Sequence, residues 1–320
     1  MKHTYIILFL CLFIISNGNS KIIYGNFYDS ERDRNVPYKT YYPDTLKGEY
    51  PVIIFSHGLG GSVEAAVYLG EHLSQNGYIC FHIQHEGSDE SVWEGARTRR
   101  EIIKLLKESL KDLENAVNRF YDIPFTVNEI IRLNKNSDIF KGHLDTNNIG
   151  IIGHSYGART VLIASGERLA KGKFSFKESR IKAGVALSPN LPENPPDDLS
   201  IIYKDIDIPL FHITGTEDGD PLNRKKDFTP EDRTIPYKNI TTSSQYLLVL
   251  DKAIHMTFNG TEKLSKDDPY FREHIVSVKK GITAFLNYYL KQNESDGEWL
   301  KNDFRNALGK ADKFEWKDKK

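Results

Sequence analysis

The sequence predicts an α/β fold in which a mainly parallel central sheet is covered by helices on both faces. Short apolar runs rich in β-branched residues recur along the 320-residue chain and alternate with amphipathic segments. Strands that alternate with helices in this way are typical of one doubly wound sheet. Because no internal repeat or low-complexity linker interrupts the alternation, we expect one domain.

The predicted elements follow one another in order from residue 37. Apolar runs bounded by Pro or Gly, such as 51–56, suit strands that are buried on both faces of a parallel sheet. Apolar residues at helical spacing indicate the helices. The predicted strands are 37–42, 51–56, 78–83, 149–153, 184–187, 210–214 and 246–250, and the predicted helices are 62–75, 101–120, 123–133, 156–169 and 270–290.

Residues from about 89 to 145 break the alternation of strands and helices. The segment 101–120 is dense in Lys and Glu and carries its leucines and isoleucines on one side. We therefore expect a helical insertion after the second central strand, within a domain of residues 21–290. The charge-rich extension 291–320 is expected to be either a short docked helix or partly disordered.

The first twenty residues have the layout of a secretory signal peptide. Lys2 and His3 give a positive start, 5–15 is apolar, and small residues precede Lys21. The apolar run is too short for a comfortable membrane span. We expect residues 1–20 to be removed, no integral membrane segment to remain, and the protein to be secreted or periplasmic. A retained signal anchor is the alternative.

Charge and cysteine content exclude some classes of function. Forty-three basic and 44 acidic residues give a formal net charge of −1, which provides no field to recruit nucleic acid. Without the leader, Cys80 is the only cysteine, and in its strand-like context it reads as a small buried hydrophobe. The composition leaves the oligomeric state open.

The most informative motif is Gly-His-Ser-Tyr-Gly at residues 153–157. This G-x-S-x-G sequence follows a predicted strand directly and opens a predicted helix, which is the context the motif requires. The turn is so tight that the positions two before and two after the serine crowd each other, so glycine fits there. At a helix N-terminus, unpaired N–H groups favour developing negative charge. We predict that Ser155 is a nucleophile.

A serine nucleophile needs a base that is oriented by a third group. In this fold the order along the chain is serine, acid, histidine, and three histidines follow Ser155. His255 stands in a loop after a predicted strand, where such sheets place functional groups, and is the predicted base. His212 lies inside a predicted strand and is interpreted as a core residue. His274, in the final helix, is interpreted as solvated or capping.

The acid is expected after the strand 210–214. Asp218 is the first choice, because a G-x-x-D turn puts its carboxylate within reach of a loop histidine. Glu217 and Asp220 are close enough in sequence to remain rivals. The acid holds the imidazole tautomer and stabilises the imidazolium without being protonated itself.

An oxyanion hole is predicted from the glycine-rich loop 56–62. Its expected donors are the backbone N–H groups of Leu59 and of Tyr156, the residue after the nucleophile. The loop lacks the spacing and the lysine of a phosphate cradle. His82 and His85 have a spacing that could bind a metal, but no carboxylate or cysteine lies in register with them. We predict no metal.

These motifs resemble the dienelactone-hydrolase and platelet-activating-factor-acetylhydrolase-like branch of the α/β-hydrolases, with polyester hydrolases and cutinases as more distant relatives. The resemblance rests on residues 51–61, 68–73, 76–78 and 153–157, and it extends over roughly 36–290. It implies an α/β-hydrolase fold, ester substrates and no cofactor. It also implies the same site residues: Ser155 as nucleophile, Asp218 as acid, His255 as base, and Leu59 and Tyr156 as oxyanion donors.

The sequence departs from this group after the second central strand. Relatives usually have a His-Pro-Gly-Ser turn there, whereas residues 85–88 read His-Glu-Gly-Ser. The long charged stretch 89–144 follows, and family insertions at this place tend to line the entrance to the site. The acyl and alcohol parts of the substrate therefore stay open.

The predicted function is that of a secreted serine esterase that cleaves small-molecule or polymer-borne carboxylic esters through an acyl-enzyme. Its rate is expected to rise through roughly pH 6–7 as His255 becomes neutral. A lipase, phospholipase or peptidase activity on the same triad is an alternative. So is a non-catalytic binding protein of the same fold.

Overall fold

The computed structural model describes residues 15–17, 20–192, 194–223, 226–263 and 265–319. The predicted leader, residues 1–20, lies outside the described residues except for Ser20 and the backbone of 15–17. Within the described ranges, no helix is both long enough and apolar enough to cross a membrane.

The strands of the described residues form one ten-stranded sheet. In chain order they are β1 (Ile15–Asn17), β2 (Ser20–Asp29), β3 (Arg34–Pro43), β4 (Tyr50–Ser56), β5 (Ile79–Ile83), β6 (Leu144–His154), β7 (Ile181–Leu187), β8 (Leu210–Glu217), β9 (Gln245–Ile254) and β10 (Lys313–Lys317). Across the sheet the order is β1-β2-β3-β5-β4-β6-β7-β8-β9-β10. The six strands from β5 to β9 in that order are parallel, whereas β1, β2, β3 and β10 pair antiparallel with their neighbours.

Helices cover both faces of the sheet, as the apolar runs require. They are α1 (Val67–Gln75), α2 (Arg99–Ser109), α3 (Leu113–Asn136), α4 (Tyr156–Ser165), α5 (Ser200–Tyr203), α6 (Ile235–Asn239), α7 (Phe271–Lys291) and α8 (Glu294–Asn302). Alternate residues of β4 show why both faces need a cover. Ile53 and Phe55 belong to a buried cluster with residues of α1, α7 and α8, while Val52 and Ile54 belong to a second cluster with residues of α3 and α4. The predicted α/β-hydrolase fold is confirmed.

The topology opens a crevice at the carboxyl end of β4. β4 lies between β5 and β6. The chain passes from β4 to β5 on one side, and later forms β6 on the other side. In such sheets, ligands bind where the strand order reverses in this way. Because Ser56 pairs with Gly153, the loop after β4 and the turn after β6 leave the sheet side by side.

The predicted helix 101–120 is wrong, because the chain forms two helices there. A capping box between Thr98 and Glu101 begins α2. The side chain of Asp112 accepts a hydrogen bond from the Asn115 N–H and begins α3, and these caps replace the missing intrahelical partners of a new N-terminus. α3 then runs through the predicted gap near 121 and contains Pro124.

Two predicted helix ends and the tail also differ from the structure. α1 begins at Val67 rather than at 62, because Ala66 takes a left-handed conformation with a φ of 52°. α4 ends at Ser165 rather than at 169. Gly166 there has a φ of 124°, and a Cβ on it would lie 2.4 Å from a backbone oxygen. The extension 291–320 contains the docked helix α8 and an unpredicted edge strand, β10.

Candidate active site

Ser155 sits on the sharp turn between β6 and α4. Its backbone has a φ of 58° and a ψ of −111°, a conformation that a non-glycine residue rarely adopts. The N–H of Ser155 donates to the carbonyl of Leu187 at the end of β7 (2.9 Å), and its carbonyl accepts from the Arg159 N–H in the first turn of α4 (3.1 Å). Backbone strain held in this way is common where a side chain must be presented to a ligand.

The two glycines of the motif are required by backbone contacts. A Cβ on Gly157 would lie 1.9 Å from the carbonyl oxygen of Ser56, and one on Gly153 would lie 2.3 Å from the carbonyl oxygen of Gly157. Real Cβ atoms do not approach backbone that closely. The missing side chains therefore let α4 start directly against the end of β4.

The structure brings Ser155, His255 and Asp218 together. His255 begins the short 3₁₀ helix His255–Asn259 after β9, and its Nε2 lies 2.9 Å from Ser155 Oγ. Its Nδ1 lies 2.8 Å from Asp218 Oδ1. Both distances are those of good hydrogen bonds. With Nδ1–H donated to the carboxylate, Nε2 presents its lone pair to the serine hydroxyl.

Asp218 is fully buried just beyond β8. Its Oδ2 accepts from the hydroxyl groups of Ser188 (2.6 Å) and Thr214 (2.8 Å). Burial alone would raise the pKa of this carboxyl. The Arg233 charge, the His255 imidazole and the Ser188 hydroxyl outweigh burial and lower the pKa to about 2. Asp218 is therefore ionised throughout the neutral range.

The His255 imidazole is held neutral by its surroundings. Burial lowers its pKa, the Arg233 charge lowers it further, and Asp218 opposes both. Next to it, His154 donates from Nε2 to the His255 carbonyl (2.9 Å). Burial lowers the pKa of His154 to about 3, so this neighbour is also neutral. A neutral His255 is the form that accepts a proton.

The loop after β4 brings Leu59 next to Ser155 and Tyr156 at the wall of one pocket. His57 is fully buried beneath this loop. The His57 ring donates from Nδ1 to the carbonyl of Gly58 (2.6 Å) and accepts at Nε2 from the His85 N–H (3.0 Å). Burial and the nearby Arg119 charge hold its pKa well below the usual range. A neutral imidazole thus fixes the course of the loop.

The helical insertion supports this loop from behind. Arg119 of α3 is fully buried and donates to the carbonyl of His57. Its guanidinium carbon lies 4.5 Å from the centre of the Tyr156 ring, which is the distance of a cation–π contact. It also donates to the hydroxyl groups of Ser56, Ser88 and Thr160. Arg119 therefore contacts both segments that carry the predicted oxyanion donors.

The insertion and the turn that precedes it both contact Gly60. The Gly60 N–H donates to the carbonyl of Ser88 (2.8 Å), and the Gly60 carbonyl accepts from the Trp93 indole N–H (2.8 Å). A Cβ on Gly60 would lie 2.7 Å from Leu106. The insertion is therefore packed directly on the loop of the predicted oxyanion donor.

A pocket of about 280 Å³ opens above Ser155. One wall is apolar and comes from the insertion, and residues 190–192 and 220–222 line the pocket as well. Besides Ser155 and Tyr156, its polar lining residues are Arg159, Asn190 and Asp220. The insertion side is formed by Leu110, Leu113, Ala116 and Phe120.

The other predicted candidates lie apart from the hydrogen-bonded triad. Glu217 is exposed at the end of β8, while Asp220 lines the pocket; Asp218 is the carboxylate that contacts His255. His212 is buried in β8 and bonds to Gln245. The solvated or capping interpretation of His274 is wrong. Its ring is buried, and Nδ1 lies 2.8 Å from Asp268, because the turn before α7 folds that carboxylate under the helix.

The histidine pair considered for a metal has separate partners. His82 bonds to the carbonyl of Ala65, whereas His85 bonds to Asp122 through Nδ1 and to Ser56 through Nε2. Among the described residues, no three His, Cys, Asp or Glu side chains are grouped so as to hold a metal ion.

Comparison with known proteins points to one family. The family described as "Platelet-activating factor acetylhydrolase, isoform II" matches residues 30–102 and 97–218, more than half of the chain. Similar relatives include proteins named platelet-activating factor acetylhydrolase from Canis lupus familiaris (29% identical over 203 residues), Cavia porcellus (27% over 193) and Bos taurus (29% over 211).

These matches cover different shares of the two chains. They span 56%, 53% and 57% of this chain, but 43%, 40% and 44% of the three relatives. The matched part is therefore less than half the length of the relatives. The family match includes Leu59, Ser155 and Asp218 and ends before His255.

Gly157→Ala tests whether the close contact between α4 and β4 presents the serine. The added methyl group must push the Ser56 carbonyl away, and displacement of the turn by about 1 Å costs about 10²-fold in rate. We expect labelling of Ser155 by a fluorophosphonate to slow by at least that factor. Gly48→Ala is the control for a strained glycine substitution: its φ of 80° disfavours alanine, but a Cβ there meets nothing within 4 Å, so the folded variant should be labelled at the wild-type rate. Labelling of Gly157→Ala at the wild-type rate would contradict this account of the turn.

Proposed function

The chain belongs to the platelet-activating factor acetylhydrolase, isoform II, family, and from this premise we propose that it is a serine esterase that hydrolyses carboxylic esters through an acyl-enzyme. The observation that carries the proposal is the unbroken hydrogen-bonded series from Ser155 Oγ through His255 to Asp218. A nucleophile, its base and the group that orients the base form the arrangement needed for acyl transfer.

In the proposed mechanism, Ser155 attacks the ester carbonyl while His255 takes the hydroxyl proton at Nε2. His255 then returns that proton to the leaving alcohol, and a water molecule activated in the same way releases the acid. Asp218 keeps the proton on Nδ1 and stabilises the imidazolium that forms in each half-reaction. Because Asp218 is already ionised and hydrogen-bonded, it needs no reorganisation during the reaction.

In this proposal, the backbone N–H groups of Leu59 and Tyr156 stabilise the negative charge that develops on the carbonyl oxygen. Both residues line the pocket beside Ser155, and Tyr156 is in the first turn of α4, whose N-terminus favours negative charge. Such donors act on the transition state more strongly than on the substrate. Loss of one typically costs about 10²–10³ in rate.

The proposed substrate is a small or lipid ester with a short acyl group. The relatives are named acetylhydrolases of platelet-activating factor, and an acetyl ester of this kind is our first candidate. The apolar wall from the insertion provides a surface for the apolar part of such an ester. No cofactor or metal takes part in the proposed reaction.

We also propose that the enzyme acts outside the cytoplasm, in the medium or in the periplasm. The support is the leader-like sequence of residues 1–20. N-terminal sequencing of the exported protein should find Lys21 as the first residue. Recovery of an intact Met1 in a membrane fraction would favour a retained anchor instead.

Covalent labelling tests the proposed nucleophile. A fluorophosphonate should modify Ser155, as mapped by mass spectrometry, and Ser155→Ala should lose both the label and about 10⁴–10⁶ in kcat. Ser175→Ala is a matched control, because this serine is exposed on a loop away from the pocket. A folded protein that takes no label would support a non-catalytic binding function. A loss of less than tenfold in Ser155→Ala would reject the assignment.

A substrate panel distinguishes the reactions that share this mechanism. Acetyl, butyryl and octanoyl esters of one alcohol should be cleaved with rates that fall as the acyl chain lengthens, and the acetyl ester of platelet-activating factor should be cleaved as well. An anilide of the same acyl group should resist. Preference for emulsified long-chain esters would indicate a lipase, and rapid anilide cleavage would indicate a peptidase.

The pH dependence follows from the lowered pKa of His255. The reaction needs neutral imidazole, so kcat/KM falls as the pH drops below the His255 pKa. Because burial and Arg233 lower that pKa from its ordinary value of 6.5, the acidic limb should have its midpoint below pH 6.5. Asp218, with a pKa of about 2, stays ionised across this limb. A midpoint above pH 7 would contradict the proposed environment of His255.

A further inference from the structure

Arg233, like Arg119, is a fully buried arginine beside the site, and it takes no part in the bond-making steps of the proposed mechanism. It lies in the 3₁₀ helix Pro230–Thr234, which begins with a capping box between Thr229 and Asp232. Only 1% of its surface is exposed. Placing a guanidinium in the interior is costly unless its donors and its charge are matched by partners.

Hydrogen bonds from Arg233 connect the loops that follow β7 and β8. Its Nη1 donates to the carbonyl of Ser188 (3.0 Å) and to Asn190 Oδ1 (2.6 Å). Its Nη2 donates to the carbonyl of Gly219 (2.6 Å), and its Nε donates to the carbonyl of Asp218 (2.7 Å). The rigid fork of the guanidinium suits this task, since it presents its donors at fixed angles.

The same guanidinium lies against the triad. Its Nε is 2.7 Å from Asp218 Oδ1, the carboxylate oxygen that also accepts from His255. Its Nη2 is 3.0 Å from His255 Nδ1. The Arg233 guanidinium therefore lies within contact distance of both the acid and the base of the proposed triad.

We propose that Arg233 is a positioning residue of the triad, which fixes the Asp218 loop to the Ser188 loop and keeps a permanent positive charge beside His255. The proposal rests on the proposed esterase function, because it concerns the same histidine and carboxylate. Ser188 supports it independently. This residue has a φ of 56° and donates its hydroxyl to Asp218 while its carbonyl accepts from Arg233.

The fixed charge has a direct effect on proton transfer. Asp218 stabilises an imidazolium at His255, whereas Arg233 destabilises it, and Asp220 is a further acid whose charge acts in the same sense as that of Asp218. His154 of β6 also faces the ring and is neutral. The balance keeps His255 ready to accept a proton from Ser155 under mildly acidic conditions. It also makes the imidazolium a stronger acid toward the leaving alcohol.

The test compares Arg233→Met, Arg233→Lys and Arg168→Met in the full chain. Arg168 forms an ion pair with Asp205 beyond the far end of α4, away from the triad, and controls for the loss of a paired arginine. Reacted serine is counted with a fluorophosphonate, so that kcat refers to assembled sites only. The readouts are kcat, KM and the acidic limb of kcat/KM on an acetyl ester.

We expect kcat of Arg233→Met to fall by about 10- to 100-fold with little change in KM, because the triad loses its alignment. Its acidic limb should move up by about one pH unit, since a charge in contact with the imidazole is removed. Arg233→Lys keeps the charge and should keep the limb near its wild-type position. It should still lose about tenfold in kcat, because an ammonium group cannot reproduce the fork.

An unchanged limb or an unchanged kcat per labelled site in Arg233→Met would overturn the proposal, even if thermal stability falls. If Arg233→Met does not fold, Arg233→Lys decides: wild-type kcat in that variant overturns the proposal as well. Failure of the esterase function itself is recognised separately. In that case the wild-type protein takes no label and cleaves no ester, whatever the Arg233 variants do.

Discussion

The site depends on the close approach of two backbones, where the α-carbon of Gly157 meets the carbonyl of Ser56. Because no side chain separates them, the turn that carries Ser155 and the loop that carries Leu59 leave adjacent strands at almost the same point. A nucleophile and an oxyanion donor must both lie about 3 Å from one reacting carbonyl group. Two paired strands fix the positions of the two groups more closely than loops alone would. The tight turn that this requires holds Ser155 in a strained backbone conformation.

The buried charges of Asp218 and Arg233 set the proton affinity of His255. Asp218 and Arg233 are both withdrawn from water, and each makes the burial of the other tolerable through hydrogen bonds and opposite charge. Removal of one partner of such a pair is costly because the remaining charge has no water to solvate it. The interactions that hold the three side chains together therefore also set the proton affinity of His255.

Sequence reasoning succeeded where a feature is local in the chain. The strands of the central sheet and the turn at Ser155 can be predicted, because an apolar β-branched run or a pair of glycines indicates its structure within a few residues. The start of α3 is also a local feature, because its N-terminal cap is Asp112, a residue type that commonly caps helices. Arg119 and Arg233 are different: each is one charged residue among 43 basic ones. Only the folded sheet brings them to His57 and to Asp218, so no spacing along the chain could indicate their partners.

The insertion has two structural roles: it lines the pocket, and it supports the loop after β4. Its apolar residues form a wall of the pocket, as expected of a segment that selects substrates, but its polar residues hold the loop beside the nucleophile. Arg119 and Trp93 contact that loop from the rear while Phe120, next to Arg119 in α3, faces the pocket. One helix, α3, therefore contacts both the pocket and the loop of the predicted oxyanion donor. In the proposed mechanism, the insertion therefore contributes both to the pocket that receives the ester and to the support of the loop that carries Leu59.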